Sequence, residues 1–145
     1  ATEEAVESEE ASQASEEETA RSLLHSTLGE AAIDHRDGDF AKAKTGYKEA
    51  LKQDENNQVA IRGLIAIAMQ QSDWSEARKT LNDLAKIAPD DPTLPLQQAL
   101  VLNKLEKRPA ALAEFLRFID SNKADDPRVR PAAQVYLSLT EKSAP

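Results

Sequence analysis

The sequence predicts an all-α protein built from repeated helical hairpins. Three observations lead to this prediction: an alanine- and leucine-rich composition, a 34-residue internal period, and stop signals at matching intervals. Of the 145 residues, 40% are hydrophobic but only 4% are aromatic, and there are four glycines. This composition suits close-packed helices and is poor for sheets.

Small and large apolar residues recur every 34 positions. Within each copy they stand at offsets 0, +4, +7 and +8, which fall on one stripe of a helix. The sets are Ala43, Ala77 and Ala111; Tyr47, Leu81 and Phe115; Ala50, Leu84 and Phe118; and Leu51, Ala85 and Ile119. Just upstream, Phe40 and Trp74 also lie 34 apart, whereas the third such position is Arg108. We therefore expect three copies of a two-helix unit.

Turn and capping residues set the predicted helix boundaries. Gly38-Asp39 and Ser72-Asp73 are typical of a helix end followed by the N-cap of the next helix. Two proline-containing segments, residues 89–92 and Asp126-Pro127, mark the passages before and after the third copy. The predicted helices span residues 16–36, 40–53, 57–71, 74–88, 94–106, 109–121 and 128–142.

The first residues concentrate the negative charge of the chain. Residues 1–20 hold eight glutamates and no basic residue. Removing these from the 26 acidic residues leaves 18, which equals the number of Lys and Arg residues, so the net charge of −8 belongs to this segment. Few large apolar side chains occur in residues 1–18, which predicts a disordered tail, and Ser15 with Glu18 forms a capping box at the start of the first helix. Residues 19–145 are the predicted helical domain.

The spacing resembles the tetratricopeptide repeat, whose 34-residue unit is a pair of antiparallel helices. The second copy is most similar, with Leu64, Ala77, Leu81 and Pro89 at the family's leucine, alanine, aromatic and proline positions. The resemblance implies a right-handed superhelical stack of about three hairpins closed by a C-terminal capping helix. It places the repeats at residues 24–57, 58–91 and 92–125 and the cap at residues 128–142.

The resemblance also implies a concave groove lined by the first helix of each repeat. The residues at the family's contact positions combine an apolar strip with cationic and histidine side chains and include no acid. They are His25, Leu28, His35, Arg36, Val59, Arg62, Met69, Gln70, Leu96, Leu100, Asn103 and Lys104. The expected partner is another protein, presenting an amphipathic helix or an acidic and apolar peptide. Two alternatives stay open: part of the strip is inter-repeat core, or the acidic tail folds back over it.

One specialisation of the family is not expected. Members that hold the acidic C-terminal tails of heat-shock chaperones use a clamp of Lys, Asn and Arg side chains. The matching positions here are Leu28, Ala32, Gly63, Thr93 and Gln97. The carboxylate clamp is therefore absent from the sequence.

Catalytic, metal-binding and nucleic-acid-binding functions lack a sequence signal. The absence of cysteine excludes disulfides, thiol catalysis and cysteine-ligated zinc. His25 and His35 are ten residues apart and lack the four-residue spacing of a metal pair on one helix face. No phosphate-binding glycine loop, no basic nucleic-acid footprint and no apolar run of ~20 residues is present. We expect no enzyme activity, no cofactor and no direct membrane insertion.

The predicted function is a protein-interaction module or scaffold that binds a peptide or helix in its groove. The alternative is a structural subunit of a larger complex, membrane-associated or not, that docks through its convex face. The compartment stays open. The chain opens at Ala1 on charged residues without a signal sequence, which fits Met removal, processing or a fragment boundary equally well.

Overall fold

The computed structural model describes residues 2–143, and within that range it contains seven α-helices and no strand. The helices are α1 Thr2–Arg36, α2 Phe40–Gln53, α3 Gln58–Gln70, α4 Trp74–Ile87, α5 Leu94–Lys104, α6 Arg108–Ser121 and α7 Val129–Ser143. From α2 onward the observed bounds lie within two residues of the predicted ones, so the all-α prediction is confirmed. No helix among these residues has the length and apolar character needed to cross a bilayer.

The 34-residue period reappears in the backbone of the turns. Gly38, Ser72 and Glu106 follow α1, α3 and α5 at equal spacing, and all three have positive φ, at 83°, 57° and 59°. In each turn the following N–H returns to a carbonyl five residues earlier, which satisfies a helix-end acceptor. These bonds join Asp39 to Asp34 (2.8 Å), Asp73 to Ala68 (2.8 Å) and Lys107 to Leu102 (2.9 Å). The three copies therefore share one turn geometry although their residues differ.

Two of the three helices that follow these turns have an aspartate cap. The carboxylates of Asp39 and Asp73 accept from the N–H groups of Lys42 and Glu76, at 3.3 Å in both cases. Lys107 occupies the same position before α6 and makes no side-chain cap. The sequence signal for a helix start was therefore strongest at α2 and α4.

The structure corrects the prediction of a disordered tail over residues 1–18 and of a first helix that starts at residue 16. α1 is one continuous helix from Thr2 to Arg36, and Ala1 lies outside the described residues. Glu, Ala and Gln favour helix, and neither glycine nor proline interrupts the chain before Gly29. Once the second half of α1 packs on α2, adding turns costs less than starting a helix.

The chain divides into two compact units, with unit 1 ending at Ile67 and unit 2 beginning at Ala68. In unit 1, α1, α2 and most of α3 share a core of small residues around one tyrosine. The buried members are Ala31, Ala43, Tyr47, Ala50, Ala60 and Ile67. Backbones approach closely here, because a Cβ added at Gly46 would lie 2.8 Å from the Cβ of Ala31. Small residues therefore let the helices of unit 1 pack closely.

In unit 2 the core lies where α5, α6 and α7 meet. Its buried members are Ala99, Ala111, Phe115, Phe118, Ala132 and Leu139. The in-phase alanines Ala77 and Ala111 are fully buried, as is Ala43 in unit 1. The sequence period therefore marked buried positions in all three copies.

The loop between α6 and α7 is fixed by an ion pair within unit 2. Arg128 donates to both carboxylate oxygens of Asp126, from Nη2 at 2.7 Å and from Nε at 3.0 Å, and its guanidinium carbon lies 5.5 Å from the ring centroid of Phe118. The Arg128 side-chain hydrogen bonds, followed by the bond from its backbone N–H, lower the pKa of Asp126 to about 2. Charge, hydrogen bonding and ring contact thus hold the capping helix at its start.

The first prediction concerns Gly63 in α3, whose backbone lies against the buried ring of Tyr47. A Cβ at this position would lie 2.5 and 2.8 Å from Cε2 and Cε1 of that ring. Gly63→Ala should therefore destabilise unit 1 by ~1–3 kcal/mol through overpacking. Gly29→Ala is the matched control, since nothing lies within 4 Å of its Cβ and helix propensity should raise stability by ~0.5–1 kcal/mol. Equal melting temperatures for the two variants would contradict the packing described here.

The second prediction uses the positive φ of Ser72. A left-handed conformation is costly for a residue with a Cβ, so Ser72→Gly should raise stability by ~0.5–1 kcal/mol. Ser75→Gly, three residues later in the first turn of α4, should not raise stability, because this position is helical and glycine has a lower helix propensity than serine. Thermal unfolding followed by circular dichroism measures both. A loss of stability in Ser72→Gly would show that the turn geometry is different.

The third prediction concerns pH. The pKa of Asp126 is lower in the folded chain than its ordinary value of 3.8, so its contribution to stability is complete above that value and is lost as pH falls towards about 2. Arg128→Gln should return the pKa of Asp126 towards 3.8, whereas Arg130→Gln should leave it low. An NMR titration of the side-chain carboxyl carbon of Asp126 reads this directly. An unchanged Asp126 pKa in Arg128→Gln would rule out the ion pair as the cause.

Candidate protein-binding surfaces

Six of the predicted groove residues lie in unit 1, and the structure separates them into core and surface. On α1, Leu28 is half-buried and packs against the unit 1 core. On α3, Val59 is 59% exposed. Arg62 is half-buried, and its Nη2 donates to the side-chain oxygen of Gln58 at 3.3 Å. We call Val59 and Arg62 the α3 surface.

His35 and Arg36 close α1 in different ways. The ring of His35 makes edge contacts with Phe40 and Tyr47, with centroid distances of 5.8 and 6.3 Å. Arg36 is exposed, and its Nε pairs with Asp37 at 3.3 Å, a surface contact of small energetic value. His25, the remaining predicted residue on α1, is exposed. His35 therefore packs against unit 1 aromatic rings, a role that its position in the repeat did not predict.

The other six predicted groove residues lie in unit 2. Met69 is half-buried and Gln70 is exposed at the end of α3. The remaining four lie on α5, and we call them the α5 surface: Leu96, Leu100, Asn103 and Lys104. They share one helix face, because their spacing of four, three and one residues keeps them on neighbouring turns.

The residues of the α5 surface differ in their exposure to solvent. Leu96 packs against the unit 2 core, whereas Leu100 is 38% exposed. Nζ of Lys104 lies 5.6 Å from the ring centroid of Trp74, within range of a cation–π contact. The sequence placed Trp74 in the 34-residue period and Lys104 in the predicted groove, and it did not predict their contact. No spacing rule joins them, since they come from different helices.

Charge is distributed unequally between the helices. α3 and α5 contain no acidic residue, and their cations are Arg62 and Lys104. The helices that follow them, α4 and α6, carry acids on their exposed sides, such as Asp83 and Asp120. The cationic and apolar character predicted for the groove is therefore a property of α3 and α5 themselves.

Unit 2 contains a cleft that was not predicted from the sequence. It encloses about 200 Å³ between α4, α5 and α6. Its lining residues are Arg78, Leu81, Asn82, Gln98, Val101, Leu102, Ala110 and Glu114. This volume is below the ~300–1,000 Å³ of typical small-molecule sites. Among residues 2–143 no group of three or more His, Cys, Asp or Glu side chains could hold a metal ion.

A family model described as tetratricopeptide repeat matches residues 35–100. Residues 35–100 are therefore tetratricopeptide repeats. The match begins at the end of α1 and ends in α5, so it includes α2, α3, α4 and the turns that repeat every 34 residues. The family prediction is thereby confirmed. No curated protein sequence matches the chain.

Solved structures of similar fold include other tetratricopeptide-repeat proteins. The translocator chaperone SycD of Yersinia enterocolitica superposes with a TM-score of 0.72 at 14% identity, covering 83% of this chain and 85% of its own. PcrH, in complex with the chaperone binding region of PopD, gives 0.72 at 14% identity and covers 86% and 96%. The first tetratricopeptide domain of Spaghetti (RPAP3), bound to an HSP90 peptide, gives 0.65 at 12% identity and covers 77% and 91%. At these identities the likeness shows the fold alone.

Proposed function

We propose that this chain is a non-catalytic binding module that holds a segment of another protein carrying apolar and acidic side chains. The observation that carries the proposal is the composition of α3 and α5. Both helices lack acidic residues, and each offers an apolar side chain and a cation: Val59 with Arg62, and Leu100 with Lys104.

The apolar side chains would supply most of the affinity. Covering a large aliphatic side chain completely contributes ~1.5–3 kcal/mol, and Leu100, which is already more than half covered, would contribute less. Binding segments typically depend on a few such anchors. Val59 and Leu100 are the exposed anchors of the α3 and α5 surfaces.

The cations would set orientation and selectivity. A charge at the edge of an interface mainly accelerates association and excludes partners of the same sign. Lys104 is suited to this role because its contact with Trp74 restrains the ammonium group before a partner arrives. Arg62 is half-buried, so a carboxylate that reaches it would be partly shielded from water. We therefore expect carboxylates beside apolar residues in the bound segment.

The structural neighbours support a protein partner. SycD has been solved with a peptide of the translocator YopD, PcrH with a region of PopD, and the Spaghetti domain with the HSP90 peptide SRMEEVD. The last peptide combines Met and Val with three acidic residues. Because the carboxylate clamp is absent from this chain, we do not propose a chaperone C-terminus as its partner. We propose an internal acidic and apolar segment instead.

The fourth prediction tests both surfaces. Peptides of mixed acidic and apolar composition would be selected against the full chain, and their affinity measured by fluorescence anisotropy. Arg62→Glu and Leu100→Asp should each weaken binding at least ~10-fold, as expected when an anchor is lost or a charge reversed. Circular dichroism would verify that both variants remain folded.

Two exposed residues of α7 provide matched controls. Leu137→Asp is the control for Leu100→Asp, because Leu137 is 58% exposed. Arg130→Glu is the control for Arg62→Glu, because it makes the same charge reversal at an exposed position. Neither should alter peptide affinity. If the α7 variants lose binding and the α3 and α5 variants retain it, the alternative function through an outer face replaces the proposed one.

A further inference from the structure

The first half of α1 is an exposed helix with no packing role. Every side chain from residue 2 to residue 23 is exposed, whereas the core contacts of α1 begin at Leu24 and include Leu28 and Ala31. At a rise of 1.5 Å per residue, residues 2–20 span about 29 Å. We call residues 2–20 the acidic helix, since they contain eight glutamates and no basic residue.

One face of the acidic helix carries the combination of apolar and acidic side chains that we propose for partners of the α5 surface. Val6 is 51% exposed and is the only large apolar residue between Thr2 and Thr19. Glu3, Glu9 and Glu10 lie three or four residues from Val6, which makes them its neighbours on that face. The face therefore presents one aliphatic anchor flanked by carboxylates.

The acidic helix cannot fold back on unit 1. It continues without a break into the half of α1 that packs along α2, so its direction is set by that packing. All of its side chains are exposed, so it covers no surface of unit 1. Within unit 1 the helix is therefore available to a second molecule.

We propose that the acidic helix of one copy docks on the α5 surface of a second copy, with Val6 against Leu100 and Glu10 towards Lys104. The inference rests on the proposed function, because it names an occupant for one of the same surfaces. The charges favour this arrangement: every charged side chain of the acidic helix is a glutamate, and α5 contains no acid. Pairing of two acidic helices would instead bring like charges together.

Docking of this kind has a defined consequence for assembly and regulation. The contact joins unlike surfaces, so a pair of copies keeps one free acidic helix and one free α5 surface between them, and growth continues beyond a dimer unless a second contact closes a ring. A partner segment that binds the α5 surface must displace the neighbouring copy. Self-association would therefore lower the apparent affinity for partners as the chain becomes more concentrated.

The test is sedimentation equilibrium of the full chain at low and high salt. Exposed charges are screened over ~10 Å at 0.1 M salt and over ~3 Å at 1 M, so raising salt between these values should weaken association ~10-fold or more. Glu10→Lys and Lys104→Glu should each weaken it by a similar factor, and the double variant should recover it by exchanging the two charges. Glu4→Lys makes the same charge change on the opposite face of the helix and should have a smaller effect.

The outcomes separate this inference from the proposed function. A chain that stays monomeric at ~10⁻⁴ M and low salt, yet binds the selected peptides, overturns the docking and leaves the proposed function standing. Association that survives both single charge reversals also overturns it. A chain that neither associates nor binds any peptide contradicts both. The docking is supported if association weakens with salt and with each single charge reversal, and if the double variant Glu10→Lys with Lys104→Glu recovers it.

Discussion

Close approach of helix backbones is the constraint on which the rest of this structure depends. Fully buried alanines stand at Ala43, Ala77 and Ala111, one in each copy. Inside unit 1 the same constraint puts the backbone of Gly63 against the ring of Tyr47. Small side chains at these points let helices of ordinary length bury a core with few aromatic residues. The 34-residue period arises because each copy needs small residues at the same positions.

A second principle is the separation of charge between helices. The acidic residues lie on the first half of α1 and on helices such as α4 and α6, while α3 and α5 contain none. Packing does not demand this arrangement, because most of the charged residues involved are exposed. As a result, α3 and α5 each combine an apolar side chain with a positive charge, whereas the first half of α1 carries only negative charges. The proposed partner and the proposed self-docking both follow from this separation.

Most of the fold could be predicted from the sequence because helix period, turn residues and repeat length all agreed. The turns after α1 and α3 were marked by Gly38-Asp39 and Ser72-Asp73, and both form the expected geometry. The length of α1 was mispredicted, because charge and low hydrophobicity suggested disorder where helix propensity and a packed neighbour favour extension.

Residue roles at the surfaces were less predictable, since they depend on contacts between helices. Family positions selected Leu28 and Leu96, which pack against cores, beside Val59 and Leu100, which are exposed. The contacts of His35 with Phe40 and of Lys104 with Trp74 leave no pattern in a linear sequence.

The central claim is that α3 and α5 carry the binding surfaces. The most direct measurement is an NMR titration of the isotope-labelled chain with a selected acidic and apolar peptide, following every backbone amide. The account predicts the largest shift changes around Val59 and Arg62 on α3 and around Leu100 and Lys104 on α5. Changes confined to exposed positions on α6 and α7, such as Leu116 and Leu137, would contradict it.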